Sequence, residues 1–192
     1  MKKIIYSILM MIIIFNLGFP NYLSAETMFE DIKGHWAEDQ MNFIINKGLI
    51  NGYQDKTFKP DRYISRAEVA KIIATDLNLN QGKKSFNDTN GHWASEVIGS
   101  IANHEIMTGY TDGSFRPDNS ITRAEAAAIL VRAYKLMGNV DFTFEDTNNH
   151  WAKNYVDILI ANNIAEGYND SEFRPDKPLT RAEFSTLLAR VL

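Results

Sequence analysis

The sequence predicts an all-α fold built from three helix-loop-helix repeats, and three observations predict it. The stretch Ile121-Thr122-Arg123-Ala124-Glu125 occurs twice more, as Ile64-Ser65-Arg66-Ala67-Glu68 and Leu179-Thr180-Arg181-Ala182-Glu183. Each copy places a hydroxyl residue three positions before Glu and ahead of an apolar-periodic run, which is the capping-box signature of a helix start. Further motifs recur around it in a fixed order, spaced 57 residues from Asp31 to Asp88 and 58 from Asp88 to Asp146. Between the motifs, apolar residues at helical spacing alternate with loops dense in Gly, Pro and Asp.

The chain begins Met1-Lys2-Lys3 and runs mostly apolar from Ile4 to Phe15 before Gly18 and Pro20. That run is shorter than the roughly 20 residues needed to span a bilayer. Residues 1–25 therefore read as a secretory signal peptide cut after Ala25. Leu23 is larger than the small residue preferred two positions earlier, and the alternative is an uncleaved N-terminal anchor. Contact with the membrane is expected only through this leader before cleavage. The first repeat then covers residues 26–84, the second 85–142 and the third 143–192.

Each repeat opens Phe-x-Asp, as Phe29-Glu30-Asp31, Phe86-Asn87-Asp88 and Phe144-Glu145-Asp146. His35-Trp36-Ala37, His92-Trp93-Ala94 and His150-Trp151-Ala152 follow. The first helix of repeat one is expected from Trp36 to Lys47, with Trp36, Phe43 and Ile44 on one face and Gly48 as C-cap. The loop then carries Gly52-Tyr53, Gly109-Tyr110 or Gly167-Tyr168. Next come Phe58, Phe115 or Phe173, each two positions before Pro60, Pro117 or Pro175 and followed by Asp61, Asp118 or Asp176. The second helix is expected from Arg66 to Leu77, with Ala67, Ala70, Ile73 and Leu77 on one stripe. Repeat two matches it with Ala124, Ala127, Leu130 and Tyr134. Polar stretches at 78–85 and 138–143 join the repeats.

A single repeat has too little apolar surface to fold alone, so neighbours must cover one another. The end repeats are as apolar as the middle one, whereas an open stack would have polar caps. A closed, pseudo-threefold arrangement is the expectation, with dimerisation through two apolar ends as the alternative.

The Arg of each capping box is the odd residue. It stands in the first helical turn, where the macrodipole disfavours a cation by roughly 0.3–1 kcal/mol. An anion shared between the Arg and the helix N-terminus would offset this. The bland alternative is a surface ion pair with Asp61, Asp118 or Asp176. Formal net charge is −4, and loss of Lys2 and Lys3 moves it to −6. An acidic chain without a basic run argues against nucleic acid. The absence of cysteine excludes disulfides and thiolate zinc sites.

The four motifs, in order and in triplicate, resemble the S-layer homology domain. The resemblance covers about residues 27–192. It implies a three-pronged pseudo-trimer around a central helical bundle. It implies grooves between repeats that bind a secondary cell-wall polysaccharide, commonly one carrying pyruvate ketals. It also implies non-covalent attachment of a secreted protein to the bacterial cell wall and surface layer, by a monomer with an internal pseudo-trimer. On the family pattern, Arg66, Arg123 and Arg181 are ligand contacts. Trp36, Trp93 and Trp151 could pack on a sugar face, although a Trp opening a helix more often fills a core junction. The family turn Gly-Tyr-x-Asp-Gly survives only in repeat two, ending at Asp112 and Gly113, where Lys56 and Ser171 stand in the others. If the turn needs positive φ, Gly113 makes that loop the best preorganised.

Other chemistry is weakly supported. His35, His92 and His150 read as helix-start residues packed beside their Trp rather than as a metal site, and no cofactor is implied. The Asp-rich loops lack calcium-loop spacing. No Gly-x-Ser-x-Gly elbow occurs, and no separate catalytic domain is expected. The readings weighed against wall anchoring are a self-assembling surface-layer protein and, less favoured, a cell-wall glycoside hydrolase.

Overall fold

The computed structural model describes residues 29–80 and 82–192; the leader read at residues 1–25 lies outside them. Among the described residues six α-helices are formed: α1 (Glu38–Asn46), α2 (Arg66–Asp76), α3 (Ser95–Asn103), α4 (Arg123–Tyr134), α5 (Lys153–Ala161) and α6 (Arg181–Val191). Each repeat contributes two. Among the described residues β pairing is confined to isolated bridges.

All three second helices begin at a complete capping box. Ser65, Thr122 and Thr180 accept from the N–H of Glu68, Glu125 and Glu183, and each Glu side chain accepts from the cap's own N–H. The stripe read for α2 is buried at Ala67, Ala70 and Ile73, while Leu77 is only partly buried and packs against the core. In α4, Ala124, Ala127 and Leu130 are buried and Tyr134 packs at the edge.

The first helices start later than the sequence suggests. Helix α1 begins at Glu38, because His35 to Ala37 form a turn in which His35 Nδ1 accepts from the Ala37 N–H. Trp36 therefore lies ahead of the helix and off its buried face. Of the three residues assigned to that face, only Ile44 is buried; Phe43 and Trp36 are exposed.

The loops are tied down within each repeat. Asp31, Asp88 and Asp146 accept from the N–H of Phe58, Phe115 and Phe173 and of the residue after each. Phe58, Phe115 and Phe173 are at most 2 % exposed and form core anchors against Phe29, Phe86 and Phe144. The rings of Phe29, Phe86 and Phe144 also lie where a Cβ on Gly52, Gly109 or Gly167 would sit, within 2.1–2.3 Å. Glycine is required there by close approach, not by φ.

Contacts between repeats run in one cyclic order. Helix α2 packs on α3, α4 on α5, and α6 returns to α1, with α4 also touching α6. The backbone follows the same cycle. Ile121 N–H donates to Ile64 C=O, Leu179 N–H to Ile121 C=O, and Ile64 N–H to Leu179 C=O. The first turn of each second helix also donates to the neighbouring loop: Ala67 to Pro117, Ala124 to Pro175 and Ala182 to Pro60. Helices of each repeat thus pack against those of a neighbouring repeat and cover its apolar face.

Candidate glycan grooves between the repeats

The Arg at the start of each second helix does not stay on its own helix. Arg66, Arg123 and Arg181 are 4 %, 8 % and 3 % exposed. Each reaches into the neighbouring repeat. Arg66 Nε donates to Phe115 C=O at 2.9 Å and its Nη2 to Thr108 C=O at 3.2 Å. Arg123 does the same to Phe173 and Glu166 at 2.8 and 3.0 Å, and Arg181 to Phe58 and Asn51 at 2.8 and 2.9 Å. The guanidinium carbons lie 4.9 Å from the ring centres of Tyr110, Tyr168 and Tyr53. Carbonyl oxygens and ring faces therefore offset the unfavourable helix position.

The alternative pairing of these Arg residues with Asp61, Asp118 and Asp176 does not occur. Those carboxylates face His35, His92 and His150 at 3.4, 3.3 and 3.3 Å. Each His accepts at Nδ1 from the backbone N–H two residues on. Its ring lies 5.4–5.5 Å from that of the adjacent Trp. The His residues thus sit beside their Trp as helix-start groups.

The Trp residues overturn the core-packing expectation. Trp36, Trp93 and Trp151 are 65 %, 63 % and 57 % exposed, because the turn ahead of each first helix carries the indole outward. Each one lines a groove with an Arg and a Tyr drawn from the other two repeats. The first groove is lined by Arg181, Tyr53, Glu68, Lys71 and Trp93. The second is lined by Arg66, Tyr110, Glu125, Arg132 and Trp151. The third is lined by Arg123, Tyr168, Glu183, Arg190 and Trp36. Every groove thus takes its Arg, its Tyr–Glu pair and its Trp from three different repeats. Their volumes are about 480, 160 and 210 Å³ respectively, so the three differ in size.

Asp112 and Gly113 sit elsewhere. They form the tip of the repeat-two turn and are not among the residues lining the second groove. Gly113 has φ +82° and Lys56 holds the same turn at φ +63°. Lys56 carries a left-handed conformation that Gly adopts freely. Ser171 does not have positive φ. Asn169 accepts from the N–H of Ser171 and Glu172 there, whereas Asp55 and Asp112 cap the turns of the first two repeats. Repeat three has a different turn.

The sequence reading did not single out the Tyr and the Glu as groove residues. Tyr53, Tyr110 and Tyr168 donate to Glu68, Glu125 and Glu183 at 3.0, 2.9 and 3.1 Å. Their signals were present, in the Gly-Tyr motif and in the capping box, but read as turn and cap chemistry. Burial pushes the Glu68 and Glu183 carboxyls up, but the N–H of Ser65 and Thr180 and the cations Arg62 and Lys177 outweigh it and hold both below the usual value. A lowered folded value stabilises the fold above the unfolded pKa of about 4.3, and that stability is lost as pH falls through the lower folded value. Urea midpoints are therefore expected to fall between pH 5 and pH 3, and the Glu68→Gln, Glu183→Gln double variant should show a shallower fall. An identical pH profile in the variant would contradict this.

The triplicate motif order agrees with a direct comparison. The S-layer homology domain is matched at residues 29–70, 85–127 and 143–185.

The chain belongs to the S-layer homology domain family.

An S-layer protein of Bacillus licheniformis is 34 % identical over 174 residues, covering 86 % of this chain and 20 % of that protein. A cellulosome-anchoring protein of Acetivibrio thermocellus is 36 % identical over 157 residues, covering 75 % of this chain and 35 % of that one. A Bacillus anthracis protein named as an uncharacterized cell wall amidase is 35 % identical over 177 residues, 88 % of this chain and 33 % of its own length. This S-layer homology chain thus spans between about a fifth and a third of the length of these relatives.

Proposed function

We propose that this protein binds the bacterial cell wall by taking a secondary cell-wall polysaccharide into the grooves between its S-layer homology repeats. The observation that carries this is the convergence, three times, of a buried Arg, a Tyr–Glu pair and an exposed Trp from three separate repeats. An exposed indole beside a fixed guanidinium suits a sugar ring bearing an anion. A pyruvate ketal supplies a carboxylate of that kind. The relatives named as S-layer and cellulosome-anchoring proteins support a wall or cell-surface location. The cyclic pairing of helices supports a monomer that forms an internal pseudo-trimer. The role is binding, with anchoring of a surface protein as its purpose.

The test is co-sedimentation of the purified protein with cell walls. It should pellet with walls that retain their polysaccharide and stay in solution with walls chemically stripped of it. Equal binding to stripped peptidoglycan would exclude the polysaccharide as ligand.

A further inference from the structure

The repeats differ at a position that no shared motif contains and that lies beside the Tyr–Glu pair of each groove. Two residues after Pro60, Pro117 and Pro175 stand Arg62, Asn119 and Lys177. Arg62 Nη1 binds Glu68 through both oxygens, at 2.8 and 3.1 Å. Lys177 Nζ binds Glu183 at 3.1 Å. Both also contact the Tyr hydroxyl of the same groove. Asn119 carries no charge to do this.

The buried Arg responds in step. Where Asn119 stands, Arg66 Nη1 binds Glu125 at 2.8 Å. Where Arg62 stands, Arg181 Nη1 is 3.3 Å from Glu68. Where Lys177 stands, no hydrogen bond joins Arg123 to Glu183 among the described residues; the Arg123 guanidinium donates to the Phe173 and Glu166 carbonyls. In the first groove Arg62 and Arg181 share Glu68, and in the third Lys177 rather than Arg123 holds Glu183. Burial lowers the Arg123 and Arg181 pKa values, and the nearby Tyr and Glu offset this only in part. The lining cation on the second helix does not separate the second groove from the third, since Arg132 and Arg190 hold equivalent places.

We propose that the residue two after each Pro decides which grooves accept an anionic sugar, so that the first and third grooves bind and the second is held shut by the Arg66–Glu125 pair. An entering carboxylate must displace Glu125 from Arg66 in the second groove. In the third groove it meets a guanidinium edge that makes no hydrogen bond to Glu183, and in the first one that Glu68 holds only at 3.3 Å because Arg62 shares that carboxylate. This rests on the glycan reading of the grooves. It ranks the second groove last, whereas the turn glycine Gly113 alone would rank it first.

The chain has three Trp residues, one in each groove, so each indole N–H is a groove-specific reporter. The probe is the methyl glycoside of a hexosamine carrying a 4,6-linked pyruvate ketal, titrated into the purified protein and followed by proton–nitrogen NMR. Single Trp→Phe variants assign the three signals. The Trp93 and Trp36 indoles should shift at concentrations that leave Trp151 unmoved. Asn119→Lys should bring Trp151 into the responding set, with affinity at that groove rising about tenfold, the scale of one charge-assisted hydrogen bond. Lys177→Asn should weaken the Trp36 response by a similar factor. Both positions lie outside the core, so both variants should fold. The methyl ester of the ketal should move none of the three. Equal response of all three indoles, an order unchanged by the two swaps, or an equal response to the ester would overturn the proposal while leaving wall binding intact. No indole response in a protein that also fails to pellet with intact walls would sink the glycan reading itself.

Discussion

Replacing Arg181 with Ala should destabilise the fold by about 3 kcal/mol, whether or not a ligand is present. Arg181 is 3 % exposed and binds the carbonyls of Phe58 and Asn51, which lie 123 and 130 residues away in sequence. Its removal leaves two acceptors without their donor, each costing ~1–3 kcal/mol if no water reaches it. Loss of one member of a buried charged contact costs ~3–5 kcal/mol in dry sites. Glu68 keeps Arg62, which argues for the lower end. The lost contacts join repeat three to repeat one, where the cycle closes. Urea denaturation monitored by circular dichroism measures the effect. A stability change below about 0.5 kcal/mol, the range of ordinary surface substitutions, would show that the Arg is not a closure element. The same physics makes Arg→Ala variants poor tests of ligand contact, because stability and binding change together.

Replacing Trp36, Trp93 and Trp151 together with Ala should do the opposite. Stability should stay within about 0.5 kcal/mol per site, since each indole is more than half exposed and lies ahead of its helix. Wall-glycan affinity should fall by about 2 kcal/mol for each groove in use, roughly 30-fold, as expected for truncating an aromatic anchor. Thermal unfolding and calorimetry with released polysaccharide separate the two effects. Lost stability with unchanged affinity would return the Trp residues to a packing role.

The contrast between Arg and Trp shows which parts of this molecule could be read from its sequence. The second helices were legible because a capping box is local: Ser65 and Glu68 are three residues apart, and so is the bond they make. The repeat boundaries were legible because Phe-x-Asp, His-Trp-Ala and Gly-Tyr recur in register. The fate of Arg66 was not, because its carbonyl partners lie 42 and 49 residues away, on a neighbour whose docking no local pattern specifies. An Arg in a first helical turn correctly signalled an electrostatic demand. The demand is met largely by backbone carbonyls and a Glu, and a ligand would take only the remaining edge. Trp36 misled for a different reason. Its place next to a helical pattern suggested a buried face, but the His35 ring caps the turn and starts the helix two residues later. The groove cations Lys71, Arg132 and Arg190 lie on the second helices, where charged residues ordinarily face solvent. Nothing in the local pattern marks them as facing a groove.

The proposed ligand of the grooves is an anionic wall glycan. The most direct measurement is calorimetric titration of the protein with polysaccharide released from walls, before and after mild acid removal of its pyruvate ketals. Binding to the intact polymer should be saturable and should weaken at least tenfold once the carboxylates are gone, the scale of one lost charge-assisted hydrogen bond of about 1.4 kcal/mol. Equal affinity for the intact and the ketal-free polymer would contradict it.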